Sequence, residues 1–357
     1  MNIIRKTIDK TKSILKDRPG WILFKTALDA LDSFFFGNPD VSVDAPHIRD
    51  YINLKRYMIT VIVALLPVVL SAIYRFGWRV VIVILVSYIF GVGTEWIFCT
   101  VRKEELTEGA FVTCMLYPLT LPPKIPLWVV AIGITFGTIF GKEVFGGTGK
   151  NLFNPALVGR LFISITFTSI MTSNWYEPYD GMIGGFSKYS VDALTTATPL
   201  ARFKTYGEIV PYIHLLKGNI PGCIGETSKI IILLCGIFLM ITKVSNWRIP
   251  LAYICSAIIF SAISSKVFPE KFAPPIFYLL SGGLLFGAMF MATDPVTCPM
   301  TIAGKWIYGS LLGVLTIIIR GLSGYMEGIT FAIILMNIFT PLIDNAVLTL
   351  KSKQKVI

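Results

Sequence analysis

The residues best suited to chemistry lie in a hydroxyl-rich strip near the middle of the chain, at positions 191–200. The strip holds one carboxylate, Asp192, and three threonines within a sequence that is otherwise mostly apolar. A threonine oxygen can carry a phosphate-linked group if it is exposed and has small neighbours, and Ala197 gives Thr198 such a neighbour. Composition alone favours a plainer interpretation, a loop rich in residues that form turns and helix caps.

A second candidate is the glycine-rich stretch at positions 146–155, which reads GGTGKNLFNP. Glycines before the start of a helix leave backbone N–H groups free to hold a phosphate or the edge of a ring. The order of residues is not that of a P-loop. A turn that simply leads into a helix explains the same residues equally well.

Several carboxylates lie in or near apolar segments, where an ionisable group is costly and is therefore a candidate for function. They are Glu95, Glu143, Asp294, Glu327 and Asp344. Glu95 is predicted to take part in a cation route as a lone buried carboxylate, the alternatives being a pair with a neighbouring Lys or Arg and a role in capping a broken helix. Lys142 beside Glu143 predicts such a pair there.

Two glycines precede Glu95 and would let another surface approach closely. They are Gly91 and Gly93, in the stretch Gly91-Val92-Gly93-Thr94. Close packing between helices through small residues explains them equally well.

The composition is that of an integral membrane protein. Of the 357 residues, 54% are hydrophobic and 15% are charged, against about 25% charged in soluble proteins. The net charge of +11 comes from Lys and Arg beside apolar segments, which indicates membrane topology rather than nucleic-acid binding. The six cysteines show no CxxC spacing and there are two histidines, so no iron–sulfur, haem or multi-histidine centre is predicted.

Ten apolar segments are each long enough to enter or cross a membrane. Their limits are 57–75, 79–100, 109–121, 126–144, 154–171, 229–243, 248–266, 275–293, 305–319 and 327–350. Several are short and end at Gly or Pro clusters, which is typical of broken helices that line a site.

These segments divide the chain into five parts. A basic amphipathic arm (1–56) precedes a first membrane half (57–171), a linker with the hydroxyl-rich strip (172–228), a second half (229–350) and a basic tail (351–357). No cleavable signal is predicted, because no short apolar run with a cleavage site follows the basic start. The distribution of Lys and Arg predicts cytoplasmic termini and an extracytoplasmic linker, with Arg320 among the outer loop charges.

The two halves show an internal repeat. Asn-x-Phe-x-Pro occurs at 151–155, where the fifth segment opens, and at 337–341, within the tenth. Halves of five helices would have opposite topology and would place a site at their interface. The predicted fold is therefore an all-α polytopic membrane protein of about ten helices in two inverted five-helix repeats, with broken helices near the midplane.

The hydroxyl-rich strip resembles the flavinylation motif D-x-x-(S/T)-G-A-T of the NqrB/RnfD family. Asp192, Thr195, Ala197 and Thr198 match the motif, and Thr196 departs from its usual glycine. The resemblance extends from about residue 45 to about residue 350 and includes the positions 45–50, 54–59, 145–154, 218–222 and 291–295. The stretches 146–151 and 245–249 are more similar to the NqrB branch, whereas 198–200 is more similar to the RnfD branch.

The resemblance implies two flavins and a quinone. FMN would be bound covalently to Thr198, with Asp192, Thr195 and Ala197 as the rest of the attachment motif. Riboflavin would bind without a covalent link near positions 146–155. Asn151 and Asn154 would contact the riboflavin, and Gly91 and Gly93 would lie near a quinone headgroup.

The function implied is that of a flavin-carrying membrane subunit of a sodium-pumping respiratory NADH:quinone oxidoreductase in the bacterial inner membrane. Electrons would pass from the FMN of an extracytoplasmic partner subunit through the covalent FMN and riboflavin to quinone. The chain has no Rossmann fingerprint, so NADH would be oxidised by a flavoprotein partner. The alternatives are an RnfD-like subunit of a ferredoxin:NAD oxidoreductase ion pump and a secondary transporter.

Overall fold

The structure is a computed structural model that describes residues 54–355 apart from 105, 180, 182–183, 191–195, 227 and 326. Before residue 54 it describes the isolated positions 10, 11, 13, 28 and 32. Most of the predicted N-terminal arm lies outside the described residues. Asp192 and Thr195 of the attachment motif lie outside them as well.

The described elements are helical throughout. The first group is α1 Leu54–Phe76, α2 Arg79–Arg102, α3 Gly109–Leu119, α4 Leu127–Gly141 and α5 Pro155–Thr166. Shorter helices follow, namely α6 Thr168–Ser173, α7 Pro199–Tyr206 and α8 Tyr212–Lys217. The last group is α9 Lys229–Ile241, α10 Arg248–Val267, α11 Pro275–Leu280, α12 Leu284–Phe286 with a π-helical turn over Gly287–Met291, α13 Ile302–Leu322 and α14 Ile329–Lys355. Single 3₁₀ turns occupy Glu143–Phe145, Gly184–Ser187 and Ile224–Glu226.

The predicted fold class, an all-α polytopic membrane protein, is confirmed. Six described helical runs are long and apolar enough to cross a membrane, and they are α1, α2, α4 with its 3₁₀ extension, α10, α13 and α14. Three of the predicted segments form shorter apolar helices, α3, α5 and α9. The segment predicted at 275–293 is interrupted between α11 and α12.

Helix packing repeats between the two groups. In the first, α2 packs on α3 and α4, and α4 packs on α5. In the second, α10 packs on α11 and α13, and α13 packs on α14. The groups meet where α1 contacts α9 and where α5 contacts α14. The chain is therefore built from two halves with one packing scheme.

The sequence motif that suggested the repeat does not mark equivalent positions. Asn154 caps α5 and Pro155 is its first residue. Pro341, by contrast, lies well inside α14, which already begins at Ile329. The expected match between 151–155 and 337–341 is wrong, because one copy starts a helix and the other lies within a continuous helix. Helix packing, rather than this motif, supports the repeat.

The break between α11 and α12 is held by Arg320, from the last turn of α13. Its Nη1 donates to the Tyr278 carbonyl at 2.6 Å and its Nη2 to the Ser281 carbonyl at 3.1 Å. Gly282 has a φ of +65°, which bends the chain at the break. Arg320 is 3% exposed, so the prediction that it is one of the outer loop charges is wrong. Its charge is used inside the fold, on carbonyls that the helix break leaves free.

Arg320→Leu should destabilise the fold, because the carbonyls of Tyr278 and Ser281 lose a charged donor. We expect a loss of about 3 kcal/mol, seen as a lower unfolding temperature of the purified chain in detergent. Arg248→Leu is the control, since that guanidinium lies over the Trp247 ring at 5.0 Å and should cost under about 1 kcal/mol. Equal unfolding temperatures for the two variants would contradict the role of Arg320.

Candidate functional site

Thr198 lies at the start of α7 and caps it. Its Oγ1 accepts a hydrogen bond from the Ala201 N–H at 3.3 Å, and its own backbone is extended. Pro199 follows as the first helical residue, with a φ already suited to a helix. The Thr-Pro pair therefore fixes where α7 begins. Ala197, just before it, is exposed, which leaves the threonine accessible from that side.

The rest of α7 is fastened to the second half of the molecule. Phe203 packs against Phe277 of α11 with ring centroids 5.6 Å apart. The ammonium of Lys204 donates to three carbonyls at the end of α13 and in the loop after it, those of Arg320, Ser323 and Tyr325. Since α7 is held at both positions, the place of Thr198 is set by the second half.

Thr198 lies on the wall of a large pocket, which we call the Thr198 pocket. It encloses about 1390 Å³ of empty space, its open mouth included. Its apolar walls include Met171, Trp175 and the adjacent rings of Tyr325 and Phe331, whose centroids are 4.6 Å apart. A planar aromatic ligand fits such walls, because rings gain most from contact with other rings.

The inner end of the Thr198 pocket is charged. Arg160 of α5 binds Glu327, from the loop before α14, and their side chains are 9% and 16% exposed. Glu226 lines the same end. The ammonium of Lys229 lies 3.6 Å from the Glu226 carboxylate and donates to the carbonyls of Glu226 (2.7 Å) and Gly282 (3.1 Å). The pair of Arg160 and Glu327 joins the two halves.

The loop carboxylates of this cluster differ in acidity. Burial raises the pKa of Glu226. Burial also acts to raise the pKa of Glu327, but the Arg160 and Arg320 guanidiniums hold it below the usual carboxyl value. Ligand atoms of Cys223, Glu226 and Glu327 lie within 4.8 Å of one another. This grouping resembles a metal site, but its carboxylates are already bound by Arg160 and Lys229, so we assign it as a salt-bridge network.

Sequence reasoning missed most of this cluster. Glu327 was noted as an acid near an apolar segment, whereas Arg160 and Glu226 were not considered. The signal for Arg160 was its place inside the apolar segment 154–171, since an arginine there needs a buried partner or a function. The partner could not be identified, because Glu327 is contributed by the other half of the chain.

A second cavity lies between the halves and contains the predicted riboflavin residues. This Asn151 cavity encloses about 690 Å³ with its mouth and is lined by Asn151, Asn154, Lys142 and residues of both halves, Tyr57 and Asp294 among them. The glycine-rich turn beside it has positive φ at Gly146 (+108°), Gly147 (+91°) and Gly149 (+87°). Such angles strain any residue with a side chain, which explains the glycines.

Both asparagines support this turn. The amide of Asn151 accepts from the Gly149 N–H at 3.3 Å and donates to the Phe153 carbonyl at 2.9 Å. The amide oxygen of Asn154 accepts from the Ala156 N–H at 3.1 Å and caps α5. The structure therefore places both residues on the cavity wall and gives each a structural bond. Their contact with riboflavin stays a prediction.

Glu95 is not a lone carboxylate. The ammonium of Lys142 lies 2.6 Å from it, with both side chains almost fully buried, and the Thr107 hydroxyl donates to it at 3.0 Å. The predicted pair of Lys142 with Glu143 is wrong, because Glu143 pairs with Arg102 at 2.8 Å. The fold, rather than adjacency in sequence, selects each partner. Glu95 is linked to the Asn151 cavity through Lys142, which lines it.

The two glycines before Glu95 lie in different surroundings. A Cβ on Gly91 would come within 2.4 Å of the Cys114 Sγ and 2.9 Å of the Ile134 Cγ1. Gly91 therefore serves close helix packing. A Cβ on Gly93 would meet no atom within 4 Å. Neither glycine lines the two cavities described above, and their contact with a quinone stays a prediction.

The fold and the two cavities define the class of this protein. It is a polytopic membrane protein of two similarly packed halves, with a cavity of mixed polarity between the halves and a threonine-bearing pocket beside their charged contact. The chain belongs to the NQR2, RnfD, RnfE family, whose model matches residues 41–352.

Curated relatives agree with this assignment over nearly the whole chain. A protein of Chromohalobacter salexigens, named as a subunit of the Na(+)-translocating NADH-quinone reductase, is 35% identical over 395 residues, which cover 96% of this chain and 93% of that protein. The protein of the same name from Pseudomonas paraeruginosa is 33% identical over 402 residues, covering 99% and 98%. The one from Yersinia pestis is 33% identical over 393 residues, covering 92% of each.

Glu95→Gln should destabilise the fold, because it leaves the Lys142 ammonium buried without its counter-charge. We expect a cost of about 3–5 kcal/mol, measured as a lower unfolding temperature in detergent. Adding Lys142→Met should recover most of that loss, since no buried charge then lacks a partner. If the double variant is no more stable than the single one, the pair does not have this role.

Proposed function

We propose that this chain is the flavin-carrying membrane subunit of a Na⁺-translocating NADH:quinone oxidoreductase complex. The names of the curated relatives and the length of the match support the complex. The observation that carries the flavin assignment is the Thr198 hydroxyl on the wall of a large pocket with aromatic sides.

Thr198 suits the attachment of FMN through its phosphate. The hydroxyl caps the eight-residue helix α7, and the N–H groups at a helix N-terminus favour a phosphate placed beside them. The backbone of Thr196 is fixed by a hydrogen bond from its N–H to the Trp175 carbonyl at 3.0 Å. Exposed Ala197 would let a modifying enzyme reach the oxygen, and the flavin ring would lie along Trp175 and Tyr325.

Riboflavin is proposed for the Asn151 cavity. The cavity is polar at Asn151, Asn154 and Thr148 and apolar at residues such as Phe290, which matches a ring system with a polar edge. Bound flavins would supply one- and two-electron transfer, chemistry for which the side chains alone are not suited. The chain itself would hold and orient the two flavins.

The proposed electron route starts at the FMN of an extracytoplasmic partner subunit and ends at quinone. It runs through the flavin on Thr198 and the riboflavin beside Asn151, with a quinone headgroup near Gly93, where α2 has an open face. An NADH-oxidising flavoprotein supplies the electrons. In this proposal the protein lies in the bacterial inner membrane with both termini cytoplasmic, and the Thr198 pocket faces outward.

Coupling to sodium is proposed to involve Glu95. Its carboxylate is buried and bound by Lys142, so a cation that displaced the ammonium would find a ready oxygen ligand.

The electron acceptor of the complex distinguishes this function from that of an RnfD-like subunit. Reduction of quinone by the purified complex would support the proposed function. Reduction of NAD by ferredoxin would support the RnfD-like function instead.

Thr198→Ala should abolish covalent flavin, because no oxygen remains at the attachment position. The test is ultraviolet fluorescence of the denatured chain on a gel, with near-complete loss of the band's signal expected. Thr172→Ala removes another hydroxyl of the same pocket and should keep the signal. A wild-type band without flavin, or a fluorescent Thr198→Ala band, would overturn the proposed attachment.

Asn151→Ala should lower the content of riboflavin without affecting the covalent flavin. The variant loses an amide on the cavity wall and the two bonds that shape the turn. We expect the affinity for riboflavin to fall at least tenfold (about 1.4 kcal/mol). The resulting loss is measured by chromatography as less riboflavin released on denaturation. Asn345→Ala, an exposed amide on α14, is the control. Unchanged riboflavin in both variants would place the second flavin elsewhere.

A further inference from the structure

The charged end of the Thr198 pocket contains more basic than acidic side chains. Three cations of the cluster face two carboxylates, and these groups are Arg160, Lys229, Arg320, Glu226 and Glu327. Burial raises the pKa of the Cys223 thiol well above its usual value, so this side chain adds no negative charge. Basic groups therefore outnumber carboxylates in this cluster, three to two.

The three cations are not equally available to a ligand. Lys229 is held by the carbonyls of Glu226 and Gly282, and Arg320 by those of Tyr278 and Ser281. Among the described residues that line the pocket, Arg160 is the cation. Its Nη2 donates to Glu327 and lies 3.5 Å from the Cys223 sulfur.

The charge of Arg160 is permanent. A guanidinium keeps its proton at any pH at which a protein is folded. The Arg160 side chain is nine-tenths buried, and the low dielectric of such a site strengthens its attraction for a negative charge. A ligand in the pocket that becomes more negative is therefore stabilised there, while the Glu327 carboxylate acts in the opposite direction.

We propose that Arg160 sets the reduction potential of the flavin on Thr198, and that Glu327 counterbalances it. This inference rests on the proposed function. One electron from a reduced flavoprotein partner adds one negative charge to the ring, no bond forms or breaks, and Arg160 keeps its proton. The guanidinium favours that added charge, whereas Glu327 opposes it and competes for Arg160. The pocket thereby has one residue that raises the potential and one that lowers it.

Removing Arg160 and removing the Glu327 carboxylate should shift the reduction potential of the flavin in opposite directions. Arg160→Gln should lower the ratio of reduced to oxidised flavin at a fixed potential at least tenfold, which corresponds to about 59 mV for one electron. Glu327→Gln should raise the same ratio, because it removes the opposing carboxylate. Arg160→Lys keeps the positive charge and should stay closer to the wild type than Arg160→Gln does.

The measurement is a spectroelectrochemical titration of the full chain in detergent. The signal of the flavin on Thr198 is the component that is missing from Thr198→Ala. Arg102→Gln is the matched control, since Arg102 forms a partly buried pair with Glu143 near the glycine-rich turn, away from this pocket. It should leave the potential of the covalent flavin unchanged.

The measured potentials either support or overturn the proposed roles of Arg160 and Glu327. Opposite shifts in Arg160→Gln and Glu327→Gln, with Arg160→Lys near the wild type, support it. Equal potentials in all variants, shifts of the same sign, or an equal shift in Arg102→Gln overturn it. If Arg160→Gln does not fold, Glu327→Gln and Arg160→Lys decide alone. A wild-type chain without covalent flavin would contradict the proposed function instead. That result differs from every outcome that bears on Arg160 and Glu327.

Discussion

The structure around the Thr198 pocket depends on which groups donate hydrogen bonds to the carbonyls at the break between α11 and α12. In an apolar environment a free carbonyl is costly, and here Arg320 and Lys229 supply the donors. These buried cations in turn need carboxylates nearby, which Glu226 and Glu327 provide. The charged end of the Thr198 pocket is thus a consequence of the helix break.

The same requirement positions Thr198. Lys204 of α7 binds carbonyls around the end of α13, next to Arg320, so the helix that Thr198 caps is fixed to the structure that closes the break. Arg160 reaches the same cluster from the first half and binds Glu327. The threonine, the pocket and the contact between the halves consequently form one connected unit.

The similarity between the two halves includes the position of a buried cation as well as the packing of the helices. In the first half Lys142, just after α4, lies near the start of α3, where a Cβ on Gly109 would be 3.9 Å from its ammonium. In the second half Arg320, at the end of α13, meets Gly282 at the helix break, where a Cβ would be 2.6 Å from its Nη2. Each half therefore has a cation at the end of its fourth helix close to a glycine at one end of its third.

The sequence by itself determined the helical membrane fold, because long apolar segments can satisfy their backbone in a membrane only as helices. It also singled out Thr198 and the glycine-rich turn, since local residue types specify these features. Only the tertiary structure decided that Glu95 pairs with Lys142, that Arg320 closes a helix break, and that Arg160 meets Glu327. Buried charges take the partner that lies nearest in space, and that partner is often distant in sequence.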